Sequence, residues 1–183
     1  MEPGTILNER YRIESVLGRG GFGITYKGYD LKLNMPVAIK EYAISGWEEP
    51  ELIEKGKQKF LTEARALAQF HENPGVVDVR DFFEANKTAY IVMEYLDGKD
   101  LRETLKETCF TADEIFSMMR PVMDVLEKMH AAGILHRDIS PDNIMLLKNG
   151  SVKLMDFGAA RVAELADERS VSVVLKGGYA PEE

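Results

Sequence analysis

The stretch LHRDISPDNIM, residues 135–145, decides how the fold of this chain is interpreted. It places a carboxylate, Asp138, and a carboxamide, Asn143, five residues apart on one short segment, with Pro141 between them. A carboxylate can accept a proton from an attacking hydroxyl, and an amide oxygen can bind a hard cation. Asp and Asn beside a proline are also common in ordinary turns, so this stretch alone leaves both interpretations open.

The bulk composition describes a globular chain of 183 residues, long enough for one domain or two small lobes. Hydrophobic residues make up 45% and charged residues 30%, a balance that argues against intrinsic disorder. The net charge of -8 argues against nucleic acid or an anionic membrane as the main partner. A single cysteine, Cys109, excludes an internal disulfide and fits a reducing, cytoplasmic compartment. No apolar run reaches membrane-spanning length, so no membrane segment is expected in this chain.

The first half of the chain alternates as strands do. Turn-rich residues and one helical stretch separate the strands, and in that stretch Phe60, Ala64 and Leu67 repeat at helical spacing within KQKFLTEARALAQF. The predicted strands are 11–17, 22–30, 35–42, 76–83 and 88–96.

The second half reads as mainly helical. Thr111 and Glu114 form a capping box ahead of IFSMMRPVMDVLEKMH, a helix expected to bend near Pro121 and to end at Gly133. Short strands around NIMLL and SVKLM follow, and then a long polar loop. The chain is therefore predicted to divide into a sheet-rich unit with one helix, 1–96, and a helical unit, 97–183.

Three glycines, Gly18, Gly20 and Gly23, spell G-x-G-x-x-G. In a dinucleotide-binding fold the third glycine opens a helix, whereas here ITYKGYD follows and alternates, which favours a strand–loop–strand hairpin. Glycines in such a loop let backbone N–H groups approach phosphate oxygens. An ordinary flexible hairpin is the alternative that the motif leaves open.

Two charged residues that follow this hairpin in the sequence, Lys40 and Glu63, are further candidates for the site. In VAIK, Lys40 shares a strand face with Ala38, while Val37 and Ile39 share the other face. Glu63 lies at the margin of the apolar stripe of the predicted helix, where a carboxylate could reach a cation on a neighbouring sheet. Taken singly, each residue is better explained as a solvated surface charge, the usual state of Lys and Glu in proteins.

MDFGAA, residues 155–160, supplies another carboxylate, Asp156, directly after a short apolar strand. Mg²⁺ prefers hard oxygen ligands, usually one or two carboxylates together with substrate phosphates. Asp156 and Asn143 can provide a carboxylate and a carbonyl oxygen, which leaves Asp138 to accept a proton from an attacking hydroxyl.

These stretches together match, in order, the signature set of protein kinases: GRGGFG, VAIK, FLTEARAL, HRDISPDN, DFG and APE at 180–182. The chain resembles the eukaryotic-like serine/threonine protein kinases, and its opening and its HRDISPDNIM loop are most similar to bacterial members. The resemblance implies an α+β, bilobal protein-kinase-like fold. Its small lobe would be an antiparallel five-stranded sheet with one helix, and its helical large lobe would be incomplete.

The resemblance also implies a reaction, the transfer of the γ-phosphate of ATP to protein serine or threonine hydroxyls, with ATP and Mg²⁺ as cofactors. The glycine loop would cover the phosphates of ATP. Lys40 would contact the α- and β-phosphates and pair with Glu63. Asp138 would be the catalytic base, and Asn143 and Asp156 would hold Mg²⁺.

The segment YIVMEYLDGKD then resembles the hinge that binds adenine. Met93 would be the gatekeeper residue, the backbone of Glu94 and Leu96 would bond the adenine edge, and Asp100 would reach the ribose. Core packing is the alternative for the methionines, and a helix N-cap is the alternative for the aspartate. The residues implied to sandwich the adenine ring are Leu17, Ala38 and Met145.

The sequence departs from the family pattern at Ser140, where serine/threonine kinases usually carry a lysine. Lys176, in VVLKGGYAPE, is hypothesised to fold back toward Asp138 and to supply the missing charge. Two other residues of this segment, Ser170 and Ser172, are candidates for self-phosphorylation, because a phosphate there could pair with Arg137 and order the loop. Two ordinary solvated serines are the alternative that the sequence leaves open.

The chain reaches one residue past APE, whereas the family continues with further helices. The apolar face of DEIFSMMRPVMDVLEKMH is therefore expected to need cover from those helices or from a partner. A fragment of a longer kinase is the favoured interpretation. A non-catalytic ATP-binding or interaction module is the alternative function, and a small-molecule kinase fits the APE segment less well.

Overall fold

The structure, a computed structural model, describes residues 1–20, 23–42 and 50–156 and the backbone of 161–162, with the side chain of Glu63 left out. The chain forms two compact units. The first unit consists of Met1–His71 and Asp78–Leu96, and the second consists of Glu72–Val77 and the chain from Asp97 onward.

The first unit is built on a six-stranded antiparallel sheet. Its strands are β1 (Ile6–Leu7), β2 (Tyr11–Gly20), β3 (Gly23–Asp30), β4 (Met35–Tyr42), β5 (Val79–Ala85) and β6 (Thr88–Glu94). They lie in the order β1-β2-β3-β4-β6-β5. The prediction of five strands was one short, because β1 has two residues, too few for an alternating pattern to be visible in the sequence.

The predicted strand 76–83 was also wrong at its start, because β5 begins at Val79. The preceding residues pair with the second unit instead. Val76 forms a β-bridge with Leu154, and the Leu154 N–H donates to the Gly75 carbonyl oxygen over 2.8 Å. This backbone pairing is the reason why the segment before β5 belongs to the second unit, although the predicted boundary left it in the first.

One face of the sheet carries the core of the first unit. Two of the three tyrosines in this core, Tyr26 and Tyr90, donate hydrogen bonds to opposite oxygens of Glu41, over 2.8 and 3.0 Å. Burial raises the pKa of each of these hydroxyls to about 12. The buried cluster consists of Leu7, Tyr11, Ile13, Tyr26, Val37, Ile39, Tyr90 and Val92.

The helix of the first unit, α1 (Pro50–Ala68), starts before the predicted position and packs against β5 and β6. The Lys57 ammonium group on α1 binds Glu84 of β5 over 3.0 Å and Glu54 of α1 over 2.6 Å. Gly56, on the same helix, lies so close to Tyr42 that a Cβ at this position would overlap the tyrosine hydroxyl. A charged contact and a close backbone approach therefore fix α1 on the sheet.

The described part of the second unit contains two helices and two small sheets. Its helices are α2 (Leu101–Glu107) and α3 (Ala112–Ala131), and Pro141–Asn143 forms a short 3-10 turn. Its strands are β7 (Gly98–Asp100), β8 (Ile134–Leu135), β9 (Ile144–Leu147), β10 (Val152–Leu154) and β11 (Arg161–Val162). The strands pair in the orders β10-β9-β7 and β11-β8.

The predicted signals at both ends of α3 are confirmed. Thr111 and Glu114 form the reciprocal capping box, and the helix continues through Pro121. Gly133, just past the helix, has φ +73°, a left-handed conformation that suits glycine at a helix C-terminus.

The two sides of α3 differ in burial. Val122, Val125 and Met129 are buried in the second unit, whereas Phe116 is 68% exposed and Met123 is also exposed. No helix in the described part of the chain is long and apolar enough to cross a membrane.

Candidate active site

Lys40 lies on β4, which is hydrogen-bonded to β3 on one side and to β6 on the other. Directly opposite residues of paired strands point to the same face, and Met93 of β6 lies opposite Ala38. Val37 and Ile39 point to the other face and are fully buried in the core cluster. The predicted alternation of β4 is therefore confirmed, and the side chain of Lys40, 9% exposed, shares the face of Ala38 and Met93.

The three glycines lie on a hairpin. Gly18 and Gly20 belong to the end of β2, and Gly23 opens β3 with φ +145°. The dinucleotide-binding alternative is wrong, because a strand and not a helix follows the third glycine. Among the described residues, a Cβ at Gly18 or Gly20 would meet nothing within 4 Å, so the predicted approach of a phosphate to this backbone stays a prediction. The two residues at the tip of the hairpin, 21 and 22, lie outside the described residues.

Glu63 lies on α1, the helix that Lys57 and Gly56 hold against the sheet. Its side chain is outside the part that the structure describes. The predicted pair between Lys40 and Glu63 therefore stays a prediction, with both residues on elements of the first unit.

The residues predicted to form the hinge lie at the end of β6 and just past it. The Glu94 N–H donates to the Asp78 carbonyl oxygen over 2.9 Å, and the Glu94 side chain accepts from the Asp78 N–H over 2.8 Å. These two bonds fix the strand end from which the Glu94 and Leu96 backbone was predicted to bind adenine. Leu17 is exposed at an irregularity of β2, between the pairs made by Val16 and Gly18.

Asp138 lies in the second unit on the loop of residues 136–143, called the Asp138 loop below. The Asn143 Nδ2 donates to both the main-chain oxygen and the Oδ2 of Asp138, each over 2.8 Å. The Asp138 N–H in turn donates to the Nδ1 of His136, which is buried, over 3.2 Å. Arg137 has φ +65°, an unfavourable conformation for a non-glycine residue that the surrounding contacts must hold. The structure therefore brings the two predicted residues together and fixes the backbone between them.

Asp156 is tied to the Asp138 loop through the main chain. The N–H of Met155 donates to the main-chain oxygen of Asn143 over 2.8 Å, which places Asp156 beside Asn143. Both hydrogen bonds described for the Asn143 side chain use Nδ2, so Oδ1 is the amide atom that could bind a cation. In residues 1–20, 23–42 and 50–156, no three His, Cys, Asp or Glu residues are grouped as a metal site. A carboxylate, an amide oxygen and ligand phosphates are nevertheless a donor set that fits Mg²⁺.

Asp100 is the N-cap of α2. Its Oδ1 accepts a hydrogen bond from the Glu103 N–H over 2.8 Å, so the helix-cap alternative is confirmed and the predicted ribose contact stays a prediction. Met145 of β9 lies opposite Asp100 of β7 in the three-stranded sheet. These two predicted nucleotide contacts therefore lie side by side within the second unit.

The comparisons with known proteins decide the family. The model of the protein kinase domain matches residues 11–183. The chain belongs to the protein kinase family. A solved structure, the apo form of PpkA-294, superposes with a TM-score of 0.82 and 33% identity, over 99% of this chain and 69% of that chain.

Two curated relatives of this kinase chain come from bacteria. The serine/threonine-protein kinase PknA of Mycobacterium tuberculosis is 33% identical over 94% of this chain and 40% of the relative. A probable serine/threonine-protein kinase of Streptomyces coelicolor is 38% identical over 88% of this chain and 24% of the relative. The chain thus spans less than half the length of these curated relatives. Protein kinases generally use ATP and Mg²⁺.

Ser140, the departure from the kinase pattern, is 2% exposed. Its backbone is extended, and its main-chain oxygen accepts from the Asn143 N–H over 2.9 Å. The other residues invoked for this region, among them the DFG Phe157 and Gly158, Ser170, Ser172, Lys176 and the APE segment, lie outside the described residues.

One contact of the site was missed by the sequence reasoning. Arg102 of α2 binds Asp142, the residue just before Asn143, through both carboxylate oxygens. Nothing local could have predicted this pair, since the two residues are 40 positions apart.

Proposed function

We propose that this chain carries the ATP-binding and catalytic residues of a serine/threonine protein kinase, which transfers the γ-phosphate of ATP to hydroxyl groups of proteins. The observation that supports this most directly is the pair of hydrogen bonds from Asn143 to Asp138. A carboxylate held in one orientation by a neighbouring amide is what a residue needs in order to align a substrate hydroxyl.

In this proposal, Asp138 accepts the proton of the substrate hydroxyl. The amide of Asn143 holds the Oδ2 of Asp138, and the His136 ring fixes the Asp138 main chain, so the carboxylate need not reorganise during the reaction. Phosphoryl transfer depends mainly on positioning and electrostatic stabilisation, which a loop fixed in this way provides.

The residues that would bind the nucleotide and metal complete the proposal. Asn143 through Oδ1 and Asp156 through its carboxylate would hold Mg²⁺, which neutralises charge on the phosphates when it is bound. Lys40 would bind the α- and β-phosphates, and Glu63 would orient Lys40. The backbone around the three glycines would cover the phosphates.

The adenosine contacts and the biological setting belong to the same proposal. Met93, the backbone of Glu94 and Leu96, and Asp100 would bind adenine and ribose, with Leu17, Ala38 and Met145 around the ring. Protein hydroxyls would be the substrates, including those of this chain at Ser170 or Ser172. A cytoplasmic location is proposed from the single cysteine.

The test is the transfer of labelled γ-phosphate from Mg-ATP to the chain itself and to a generic basic protein. Asp138→Asn should abolish transfer while leaving nucleotide binding and the melting temperature unchanged. Asp113→Asn, the same substitution at an exposed position of α3, is the matched control and should transfer like the unsubstituted chain.

Two outcomes would contradict the proposal. Transfer that survives Asp138→Asn would remove Asp138 from the chemistry. Nucleotide binding without transfer by the unsubstituted chain would favour the non-catalytic ATP-binding module instead.

A further inference from the structure

The contact between Arg102 and Asp142 joins a helix to the Asp138 loop. The Arg102 Nη2 donates to the Asp142 Oδ2 over 2.7 Å, and the Arg102 Nε donates to the Asp142 Oδ1. The two parallel bonds form the fork that a planar guanidinium makes with a carboxylate, and this geometry fixes orientation as well as distance.

The segment that carries Asp142 needs such a contact. Pro141–Asn143 is a single 3-10 turn, closed by two backbone bonds, from the Asn143 N–H to the Ser140 oxygen and from the Ile144 N–H to the Pro141 oxygen. Turns of this kind are short and have poor hydrogen-bond geometry, so they do not hold a direction by themselves. A rigid neighbour must therefore set the angle at which the turn presents its side chains.

The next residue in the turn connects this contact to the chemistry. Asn143 points inward and is buried, and its amide holds both the main chain and the carboxylate of Asp138. Rotation of the turn about its ends would move Asp142 and Asn143 together. The two bonds from Arg102 to Asp142 thus fix the position of the Asn143 Nδ2 atom, which holds the Asp138 carboxylate.

We propose that Arg102 and Asp142 form a positioning pair that fixes the Asp138 loop in its productive orientation. This inference rests on the proposed function, because it assigns the pair a role in the same phosphoryl transfer. Neither residue touches the reacting atoms. The pair acts through Asn143, and α2 serves as the rigid support, capped at its start by Asp100.

The solvent exposure of the pair distinguishes a role in positioning the loop from a role in stability. The side chain of Arg102 is 43% exposed and that of Asp142 is 32% exposed. Ion pairs this exposed contribute little to the free energy of unfolding. A displacement of a catalytic group by an ångström, in contrast, can change the rate by about 100-fold.

The experiment measures kcat, KM for ATP, melting temperature and hydrogen exchange of the peptide covering 139–147 in the whole chain. In Arg102→Ala and Asp142→Asn, kcat should fall about 10-fold, while KM for ATP stays within about twofold. Exchange in the peptide should become faster, and the melting temperature should stay unchanged. Arg102→Lys should resemble Arg102→Ala, because an ammonium group cannot form the fork.

Two further variants complete the design. Lys106→Ala is the matched control, since it breaks another exposed ion pair of α2, with Glu103, that does not reach the Asp138 loop. It should leave all four measurements unchanged. The combined substitution Arg102→Ala with Asp142→Asn should be no slower than either single variant, because a pair that acts as a unit is lost once.

The inference is overturned if kcat and hydrogen exchange in Arg102→Ala match those of Lys106→Ala, or if the combined variant shows the product of the two single losses. Failure of the proposed function looks different. The unsubstituted chain would then transfer no phosphate, while faster exchange in Arg102→Ala and not in Lys106→Ala would still show that the pair fixes the loop.

Discussion

Lys40 and Asp138 are held in place by different means. Lys40 is part of a strand with hydrogen-bonded neighbours on both sides, and its direction follows from the alternation of β4. Asp138 lies on an irregular loop, where side chains from His136 and Asn143 fix it. Many equivalent backbone hydrogen bonds hold Lys40 in its strand, whereas a few specific hydrogen bonds with side chains hold Asp138 in its loop.

The difference predicts two kinds of failure. Damage to the sheet should appear first as lost stability, because the face of β4 opposite Lys40 is the core of the first unit. Damage to the Asp138 loop should appear as lost activity in a chain that still folds. Substitutions in the two regions can therefore break or sharpen the comparison.

The largest effect is expected for Ile39→Ala, next to Lys40 on β4. Ile39 is fully buried, and truncation of such a side chain costs about 2–5 kcal/mol of unfolding free energy. Denaturant unfolding measures this loss. Ile6→Ala is the control, because Ile6 of β1 is exposed and should change stability by about 0.5 kcal/mol or less. Equal losses for the two variants would contradict the burial of Ile39.

Asn143→Ala tests the loop. It removes both hydrogen bonds to Asp138 and one predicted Mg²⁺ ligand, so γ-phosphate transfer should fall about 100-fold or more. The unfolding free energy should fall by about 2 kcal/mol, because two hydrogen bonds are lost at about 1 kcal/mol each. Asn149→Ala, at an exposed position between β9 and β10, should leave transfer unchanged. Transfer within twofold of the unsubstituted chain in Asn143→Ala would remove Asn143 from the mechanism.

Gly56→Ala tests how α1 is attached to the sheet. In an open helix this change would stabilise by about 1 kcal/mol. Here the new methyl group would overlap the Tyr42 hydroxyl, so we expect a loss of about 1–3 kcal/mol in thermal unfolding. Adding Tyr42→Phe should restore part of the loss, and a stabilised Gly56→Ala variant would show that the helix is not held this closely.

The smallest effect concerns the pH dependence of Asp30, which Arg10 binds through both carboxylate oxygens. Arg10 lowers the pKa of this carboxyl below 3.8 in the folded chain. As the pH falls, the Asp30 carboxyl is therefore protonated in the unfolded chain before it is protonated in the folded chain. Stability decreases as the pH falls from about 4 through the pKa of Asp30 in the folded chain.

The measurement for Asp30 is the melting temperature at several pH values between 7 and 3. Asp30→Asn keeps one oxygen acceptor for the Lys32 and Leu33 N–H groups but cannot ionise. Its difference from the unsubstituted chain should therefore be largest at neutral pH and should shrink in acid. A constant difference would contradict the assigned ionisation.

What the sequence could predict follows the same division between regular elements and irregular loops. The bounds of β4, the capping box of α3 and the helix end at Gly133 were all readable, because they depend on residues adjacent in sequence. The partners of Asp138 within its own loop were also suggested by spacing. The fork from Arg102 and the late start of β5 were not, because tertiary contacts between distant positions decide them.

The β1 strand has a practical consequence for anyone who trims this protein for expression. The kinase family match begins at residue 11, which suggests a natural place to cut. Leu7, four residues earlier, is nevertheless buried in the core cluster, and Leu7 pairs with Tyr11 across the sheet edge. A recombinant chain that began at the start of the family match would lack Leu7. The tyrosines of the core cluster would then be exposed to solvent at that edge of the sheet.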